Sequence, residues 1–235
     1  MKTLAFARSL HCTISLILVT ATNLAAANLT VDDLRPNDLV ITEYLANPVG
    51  VSDSLGEYFE IFNTTSASID LTNLVVRDDG SNEFTIDGLN IAPMSFAVLS
   101  SSDGSALGYT PDFIYASGMT LTNGDDEIAL YRPDGLLIQK AAYDDGDFFG
   151  AGIAHELTRI DPLTPNQTTG PAVGMDFVAA NGVLGNGNFG SPGLRGNTRI
   201  ELPVVPLPPA AILFGSALGV LAWTRRTLAG MPFRA

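Results

Sequence analysis

The sequence is poor in the side chains that most often build disulfide-linked, zinc-binding or nucleophilic sites. It has one cysteine, Cys12, and two histidines, of which only His155 lies outside the first 27 residues. A single cysteine forms no internal disulfide, and zinc sites normally need several histidine or cysteine ligands. No G-x-S-x-G sequence accompanies His155, and its neighbours in residues 155–159 are interpreted as a short strand or turn. The chain must therefore be stabilised by packing, and catalysis by His155 is disfavoured.

Positive charge and tryptophan are also scarce over most of the chain. All 25 Asp and Glu residues lie between Asp32 and Glu201, whereas only seven Lys and Arg residues fall within residues 28–205. An acidic body of this kind repels nucleic-acid phosphates and anionic membranes, so nucleic-acid binding is not expected. The one tryptophan, Trp223, lies outside the acidic stretch. The body thus lacks the usual stacking platform for sugars, which weakens the case for carbohydrate binding, although six tyrosines are present.

The first 27 residues have the order of features found in secretory signal peptides. Basic residues precede an apolar run from Ile14 to Val19, and the segment ends in small residues that include Ala25 and Ala27. This A-x-A pattern is typical of a signal-peptidase site. The sequence therefore predicts an exported protein with a signal peptide at residues 1–27 and cleavage after Ala27. A short buried helix is the alternative.

The other end of the chain combines a proline-containing motif, an apolar run and two arginines. The motif comprises Val205, Pro206, Leu207, Pro208 and Pro209. The uncharged run from Leu207 to Trp223 would form a helix of about 25 Å, which just spans a bilayer. Arg225 and Arg226 would then stay on the cytoplasmic side, followed by a tail at residues 227–235. The sequence therefore predicts one C-terminal transmembrane helix.

Residues 205–226 resemble the PEP-CTERM class of sorting signals, and most closely the variant called VPLPA-CTERM. The resemblance implies that an exosortase-type membrane enzyme acts near the motif and passes the acidic body to the cell surface or the extracellular matrix. Before that step, or without it, the helix would hold the chain in the membrane. A plain membrane anchor that is never cut is the alternative interpretation.

Between the two ends, short β-rich runs alternate with turn residues such as Asn123-Gly124 and Asp134-Gly135. No amphipathic helical stretch of useful length intervenes. Strands are predicted near Leu39–Leu45, Tyr58–Asn63, Ile69–Arg77, Glu83–Ile86, Phe96–Ser100, Glu127–Tyr131 and Leu137–Tyr143. Predicted inward-facing residues are Val40, Phe59, Ile61, Leu71, Val75, Phe96, Val98, Ile128, Leu130 and Ile138. Seven short strands separated by turn residues predict an all-β fold, an immunoglobulin-like β-sandwich.

Several motifs of this body resemble the lamin-tail domain as found in bacterial surface and secreted proteins. They include Ile41-Thr42-Glu43, Gly56-Glu57-Tyr58-Phe59-Glu60-Ile61-Phe62-Asn63, Ile91-Ala92-Pro93, the run from Leu121 to Leu130, and Ser191-Pro192-Gly193 with Asn197. The resemblance covers residues 38–197 and implies a non-catalytic sandwich that binds protein or polysaccharide partners at the cell surface. Residues 28–37 and 198–204 are then predicted to be linkers.

Three acidic groupings invite a chemical interpretation. They are Glu43 with Glu57 and Glu60; Asp125, Asp126 and Glu127; and Asp144, Asp145 and Asp147. Carboxylates suit Ca²⁺, and the third grouping is the best candidate for a calcium site. None has the D-x-D-x-D-G loop spacing, so solvated loop carboxylates are the competing interpretation, and no other cofactor is expected. Paired carboxylates can also hydrolyse glycosides, which makes a secreted hydrolase of extracellular polymers the second functional hypothesis.

Overall fold

The computed structural model describes residues 28–144, 149–160, 168–169 and 177–200, which consist almost wholly of strands and loops. The strands are β1 (Asn28–Thr30), β2 (Leu39–Leu45), β3 (Tyr58–Asn63), β4 (Ser68–Asp70), β5 (Val75–Arg77), β6 (Glu83–Thr85), β7 (Asn90–Ile91), β8 (Phe96–Ser100), β9 (Phe113–Ile114), β10 (Asp126–Tyr131), β11 (Leu137–Tyr143), β12 (His155–Leu157), β13 (Arg159–Ile160), β14 (Thr168–Thr169), β15 (Phe177–Ala179) and β16 (Arg199–Ile200). One helical turn, α1 (Asp53–Gly56), and 3₁₀ turns at Val31–Asp33 and Gly185–Gly187 interrupt them. The described chain is all-β, as predicted.

The strands form two larger and two smaller sheets. The six-stranded sheet has the order β15-β12-β2-β3-β8-β9, and the five-stranded sheet has the order β14-β11-β10-β5-β6. Three strands, β1-β4-β7, form a small sheet, and β13 and β16 form a two-stranded parallel ribbon. Strands β10 and β11 pair antiparallel on either side of the turn at Asp134-Gly135 and so form a hairpin. This arrangement of sheets is consistent with an immunoglobulin-like β-sandwich.

The main apolar core joins the two larger sheets. Its buried side chains include Ile41, Tyr44, Phe59, Ile61 and Leu99 from the six-stranded sheet and Val76, Ile128, Leu130, Ile138 and Ala141 from the five-stranded sheet. Full burial of one such aliphatic or aromatic side chain contributes roughly 1.5–3 kcal/mol. The buried Gln139 of β11 also links the sheets, because its Oε1 accepts a hydrogen bond from the Ile41 backbone N at 3.1 Å. A bulge interrupts the pairing of β2 with β3 next to this point.

Strands β2 and β3 are buried on both faces. One face packs on the main core. Residues of the other face, with neighbouring loops, form a second apolar cluster of Leu45, Tyr58, Val98, Leu107, Ala154 and Ala180. Val98 is therefore buried as predicted, but in this second cluster.

The single strand predicted over Ile69–Arg77 is wrong. Residues 71–74 form a turn in which Leu74 N donates to Leu71 O at 2.9 Å and Asn73 adopts φ of 74°. The turn separates β4 from β5 and places them in different sheets. It also shifts the alternation by one residue, so Val76 is buried where Val75 was predicted to face inward.

Both predicted linkers contain parts of the fold. β1 pairs in parallel with β4, and the buried Val31 and Leu34 join the main core. At the other end, β16 pairs with β13, and Ile200 packs against the same core. Residues 28–37 and 199–200 are therefore structural, because their apolar side chains help to cover the sandwich.

No helix in the described part of the chain has the length and apolarity that a membrane span requires. The segments predicted to be the signal peptide and the transmembrane helix lie outside the described residues.

Candidate functional site

Three glutamates lie side by side on adjacent strands of the six-stranded sheet. Glu156 of β12 pairs with Glu43 of β2, and Glu43 pairs with Glu60 of β3. Since neighbouring strands are about 4.8 Å apart, the three carboxylates form a continuous set, which we call the acidic row. Each of the three residues is only 1% exposed. Like charges opposite one another destabilise a sheet, so the acidic row requires compensating contacts.

Residues 191–198, which we call the closing loop, provide these contacts for Glu43 and Glu60. Ser191 donates to Glu43 from its backbone N, at 2.8 Å, and from its hydroxyl. Gly193 N donates to Glu60 Oε2 at 2.7 Å. The Tyr58 hydroxyl adds another hydrogen bond to Glu43 from within the sheet. Uncharged hydrogen-bond donors therefore compensate for the burial of these two carboxylates.

The same loop encloses Glu156. Asn197 donates to Glu156 from its backbone N and from Nδ2, the latter at 2.9 Å, and Thr198 N donates at 3.3 Å. The preceding Gly196 has φ of 51°, and a Cβ atom there would lie 1.8 Å from Glu156 Oε1. Glycine is thus required at position 196 both by the backbone conformation and by the close approach of the carboxylate.

Burial shifts the protonation of the acidic row. Loss of hydration raises the pKa of Glu43 to about 7, although the hydrogen bonds from Ser191 and Tyr58 oppose the shift. Burial also raises the pKa of Glu60 well above its usual range, and the charge of Glu43 adds to this effect. Near neutral pH the acidic row therefore carries less negative charge than three solvated glutamates would.

Glu57, which sequence analysis grouped with Glu43 and Glu60, has different neighbours. Its Oε2 accepts a hydrogen bond from Leu121 N at 3.3 Å, and its Oε1 has no partner among the described residues. Burial raises the pKa of Glu57 to about 7, and the negative charge of Asp126 adds to the shift. The third member of the acidic row is instead Glu156, which sequence analysis missed because its pairing with Glu43 depends on strands far apart in the chain.

His155 lies in the main core, away from solvent. Its ring stacks on Tyr44 with a centroid distance of 4.7 Å and an interplanar angle of 8°. Phe149 contacts the imidazole as well, also at 4.7 Å between centroids. Residues 155–159, which were predicted to form a short strand or turn, contain β12, and the imidazole of His155 is shielded from solvent.

Of the three carboxylates predicted to bind calcium, Asp144 alone lies among the described residues. Asp144 is exposed at the end of β11, whereas Asp145 and Asp147 lie outside the described residues. Within residues 28–144, 149–160, 168–169 and 177–200, no three His, Cys, Asp or Glu side chains are arranged to hold a metal ion. The predicted sorting and cleavage residues, Val205 to Pro209, Arg225, Arg226, Ala25 and Ala27, also lie outside the described part.

The acidic row accepts hydrogen bonds from the closing loop, and its three glutamates are almost fully shielded from solvent. Among the described residues, β9 is one outer strand of the six-stranded sheet, and its Ile114 is 50% exposed. An outer strand presents backbone N–H and C=O groups that another strand can pair with.

A comparison with known protein families finds one family model that matches part of the chain. Residues 35–145 match the family model of the Lamin Tail Domain, a non-enzymatic immunoglobulin-like family. No curated protein sequence matches the chain. The matched range contains β2 to β11, and thus Glu43, Glu57 and Glu60, whereas Glu156 and the closing loop follow it. The match and the all-β architecture together support a lamin tail domain over residues 35–145.

Proposed function

We propose that the chain is an exported, non-catalytic protein of the cell surface or extracellular matrix, in which the lamin-tail domain serves as an interaction module. The match of residues 35–145 to the Lamin Tail Domain carries this proposal. The sealed acidic row and the enclosed His155 support a non-catalytic role, since neither presents a reactive group to a substrate.

The two ends of the sequence support the proposed delivery. A signal peptide at residues 1–27 directs export, and the motif at residues 205–209 marks the region where an exosortase-type enzyme acts. The apolar run up to Trp223, with Arg225 and Arg226 behind it, holds the chain in the membrane before processing. The acidic body then faces the outside of the cell.

The proposed mode of protein contact is strand addition at β9. In this mode an extended partner segment pairs with the backbone of an outer strand, and side-chain pockets select its sequence. The half-exposed Ile114 offers an apolar contact beside that edge. Protein partners of this kind require no catalytic group.

Intact-mass measurement of the protein from surface, medium and membrane fractions tests the delivery. We expect a released body that begins at Asn28 and ends near residues 205–209. Pro208→Ala should reduce its release, whereas the matched variant Pro133→Ala, in the β10–β11 turn, should not. A full-length chain in the cytosol, with Met1 and Ala235 retained, would contradict export. An uncut chain in the inner membrane would support a plain anchor and overturn the sorting step.

A further inference from the structure

The six-stranded sheet has two outer strands within the described residues, β9 on one side and β15 on the other. Asp112 donates its backbone N–H to β8, and Ala180 donates its backbone N–H to the residue before β12. Because backbone groups alternate in direction along an extended strand, those of the neighbouring Phe113 and Ala179 point away from the sheet. Each outer strand therefore offers N–H and C=O groups to a further strand.

Each outer strand also carries one exposed aliphatic side chain, Ile114 on β9 at 50% and Val178 on β15 at 36%. Val178 pairs with Glu156 of the acidic row. Ile114 pairs with Ser100, which pairs in turn with Tyr58. The Tyr58 hydroxyl donates to the acidic row, so both series of cross-strand neighbours lie on the face of the sheet that carries this row. Pairing of the two edges can therefore bring Ile114 against Val178.

The two edges carry opposite charge. Residues 177–200, which contain β15, have two arginines and no Asp or Glu, and Arg199 lines the same concavity as Val178. Residues 96–124, which contain β9, have two aspartates and no Lys or Arg. One of these aspartates is Asp112, which is exposed directly before β9. The β15 edge of one copy is therefore complementary in charge to the β9 edge of another copy.

Asp112 and Arg199 are both held in position by hydrogen bonds with the main chain. Asp112 Oδ2 accepts a hydrogen bond from Val98 N at 2.8 Å, and Arg199 N donates to Thr158 O at 3.0 Å. None of the ion pairs between described residues involves Asp112 or Arg199. Both charges are thus available to a partner of opposite sign, and little ordering of the main chain is needed when it binds.

We propose that β9 of one copy of this chain adds to β15 of a second copy, so that the protein assembles head to tail through its six-stranded sheet. This inference rests on the proposed strand addition at β9 and names its partner. Ile114 of one copy packs against Val178 of the next, and Asp112 pairs with Arg199. Because the two edges are different surfaces, every contact leaves one edge of each copy open, and assembly continues into a ring or a filament. β9 and β15 have only two and three residues, so each contact is weak and assembly depends on concentration.

Sedimentation velocity of the purified full chain in detergent, over a series of protein concentrations, tests this assembly. The wild type should form larger species as its concentration rises, and added salt should weaken their formation. Ile114→Lys places a positive charge opposite Arg199, and Val178→Glu places a negative charge opposite Asp112. Each variant alone should therefore associate at least tenfold more weakly than the wild type. The matched control Leu136→Lys, at a 38% exposed position between β10 and β11, should associate as the wild type does.

A mixture of the two variants distinguishes a head-to-tail contact from other contacts. Ile114→Lys keeps an intact β15 edge, and Val178→Glu keeps an intact β9 edge. At a concentration at which the wild type associates, an equimolar mixture should therefore form a one-to-one heterodimer and nothing larger.

Hydrogen exchange of the wild type gives a readout that needs no variant. The amides of Phe113 and Ala179 should both exchange more slowly at high protein concentration than at low concentration, because each becomes part of a new strand pair. Protection of only one of the two amides would overturn the head-to-tail arrangement.

Three further results would overturn this inference. They are a wild type that stays monomeric at every concentration, association that is unchanged in both edge variants, and a mixture that forms no heterodimer. Loss of association in Ile114→Lys but not in Val178→Glu would show that two β9 strands pair with each other, which keeps β9 as the contact strand but excludes the head-to-tail contact. The mass measurement of delivery is independent of these results, so a monomeric chain that is still exported and released would contradict this inference alone.

Discussion

Ser191 and Glu43 are separated by 148 positions in the chain, yet two hydrogen bonds join them inside the protein. Ser191 belongs to the closing loop and Glu43 to β2, the strand at the centre of the six-stranded sheet. The carboxylate is therefore buried against neutral donors, and none of the ion pairs between described residues involves it. This relationship makes the stability of the fold depend on the protonation of Glu43.

Stability should fall as the pH rises from about 4.5 to about 7. The folded protein raises the pKa of Glu43 from an ordinary value of 4.5 to about 7, so the folded state binds a proton that the unfolded chain releases. The stabilisation is complete below about pH 4.5 and is lost as the pH passes through 7. For Glu43 alone its upper limit is about 3 kcal/mol, since one pKa unit corresponds to about 1.4 kcal/mol. Urea unfolding at several pH values measures this change.

The variant Glu43→Gln isolates this contribution. Glutamine does not titrate, so the free energy of unfolding of the variant should depend less on pH between 4.5 and 7 than that of the wild type. The exposed Glu83→Gln serves as control and should keep the wild-type dependence. Parallel pH profiles for the wild type and Glu43→Gln would contradict the prediction.

Gly196→Ala should destabilise the closing loop. A Cβ atom at position 196 would collide with Glu156 Oε1, in addition to the strain of a positive φ. Gly187→Ala is the matched control, because its φ is 81° and no atom lies within 4 Å of the added Cβ. The control should lower the free energy of unfolding by about 1–2 kcal/mol. Gly196→Ala should lower it by about 2 kcal/mol more than the control does. Equal unfolding free energies for the two variants would show that the loop does not enclose Glu156 as described.

Removal of the hydroxyl groups of two buried tyrosines should change the stability of the protein in opposite directions. The buried Tyr44 hydroxyl has no hydrogen-bond partner among the described residues, so Tyr44→Phe should be neutral or stabilise the protein by up to about 1 kcal/mol. The Tyr58 hydroxyl donates to Glu43, and Tyr58→Phe should destabilise the protein by about 1–3 kcal/mol. Thermal and urea unfolding of both variants measures the difference. A greater loss of stability in Tyr44→Phe than in Tyr58→Phe would refute it.

Asn63→Asp should lower the free energy of unfolding by about 3 kcal/mol relative to the wild type. Asn63 is fully buried, and its Nδ2 donates to Ala67 O at 2.8 Å and to Ala92 O at 2.9 Å. An aspartate loses both donors and places a carboxylate against two carbonyl oxygens. The exposed Asn123→Asp provides the same chemical change without burial and should alter stability by less than about 0.5 kcal/mol. Comparable losses in the two variants would rule out this explanation.

Several long strands of the two larger sheets could be predicted from the sequence, because local patterns define them. The predicted bounds of β2, β3, β8 and β11 agree with the structure. These strands combine β-branched or aromatic residues with clear turn residues on either side. Asn63 also belongs to one of the motifs that resemble the lamin-tail domain, and its buried hydrogen bonds show a structural role for this residue.

Several short strands could not be predicted, because they have too few residues to show alternation. β7, β9, β13 and β16 have two residues each, and tertiary pairing defines them. The acidic row was predicted only in part for a related reason: Glu43 and Glu60 lie on neighbouring strands of one local motif, whereas Glu156 joins them through a long-range pairing. The common face of Ile114 and Val178 has the same origin, since it depends on the pairing of all six strands of the sheet.

The closing loop also determines when the protein can finish folding. Glu43 and Glu60 are made early during synthesis, but the residues that cover them follow more than a hundred positions later. Until those residues have been added, the two carboxylates remain hydrated and one face of β2 and β3 stays open to water. The native state can therefore be completed only after the closing loop has been synthesised. A chain truncated before Ser191 cannot reach it.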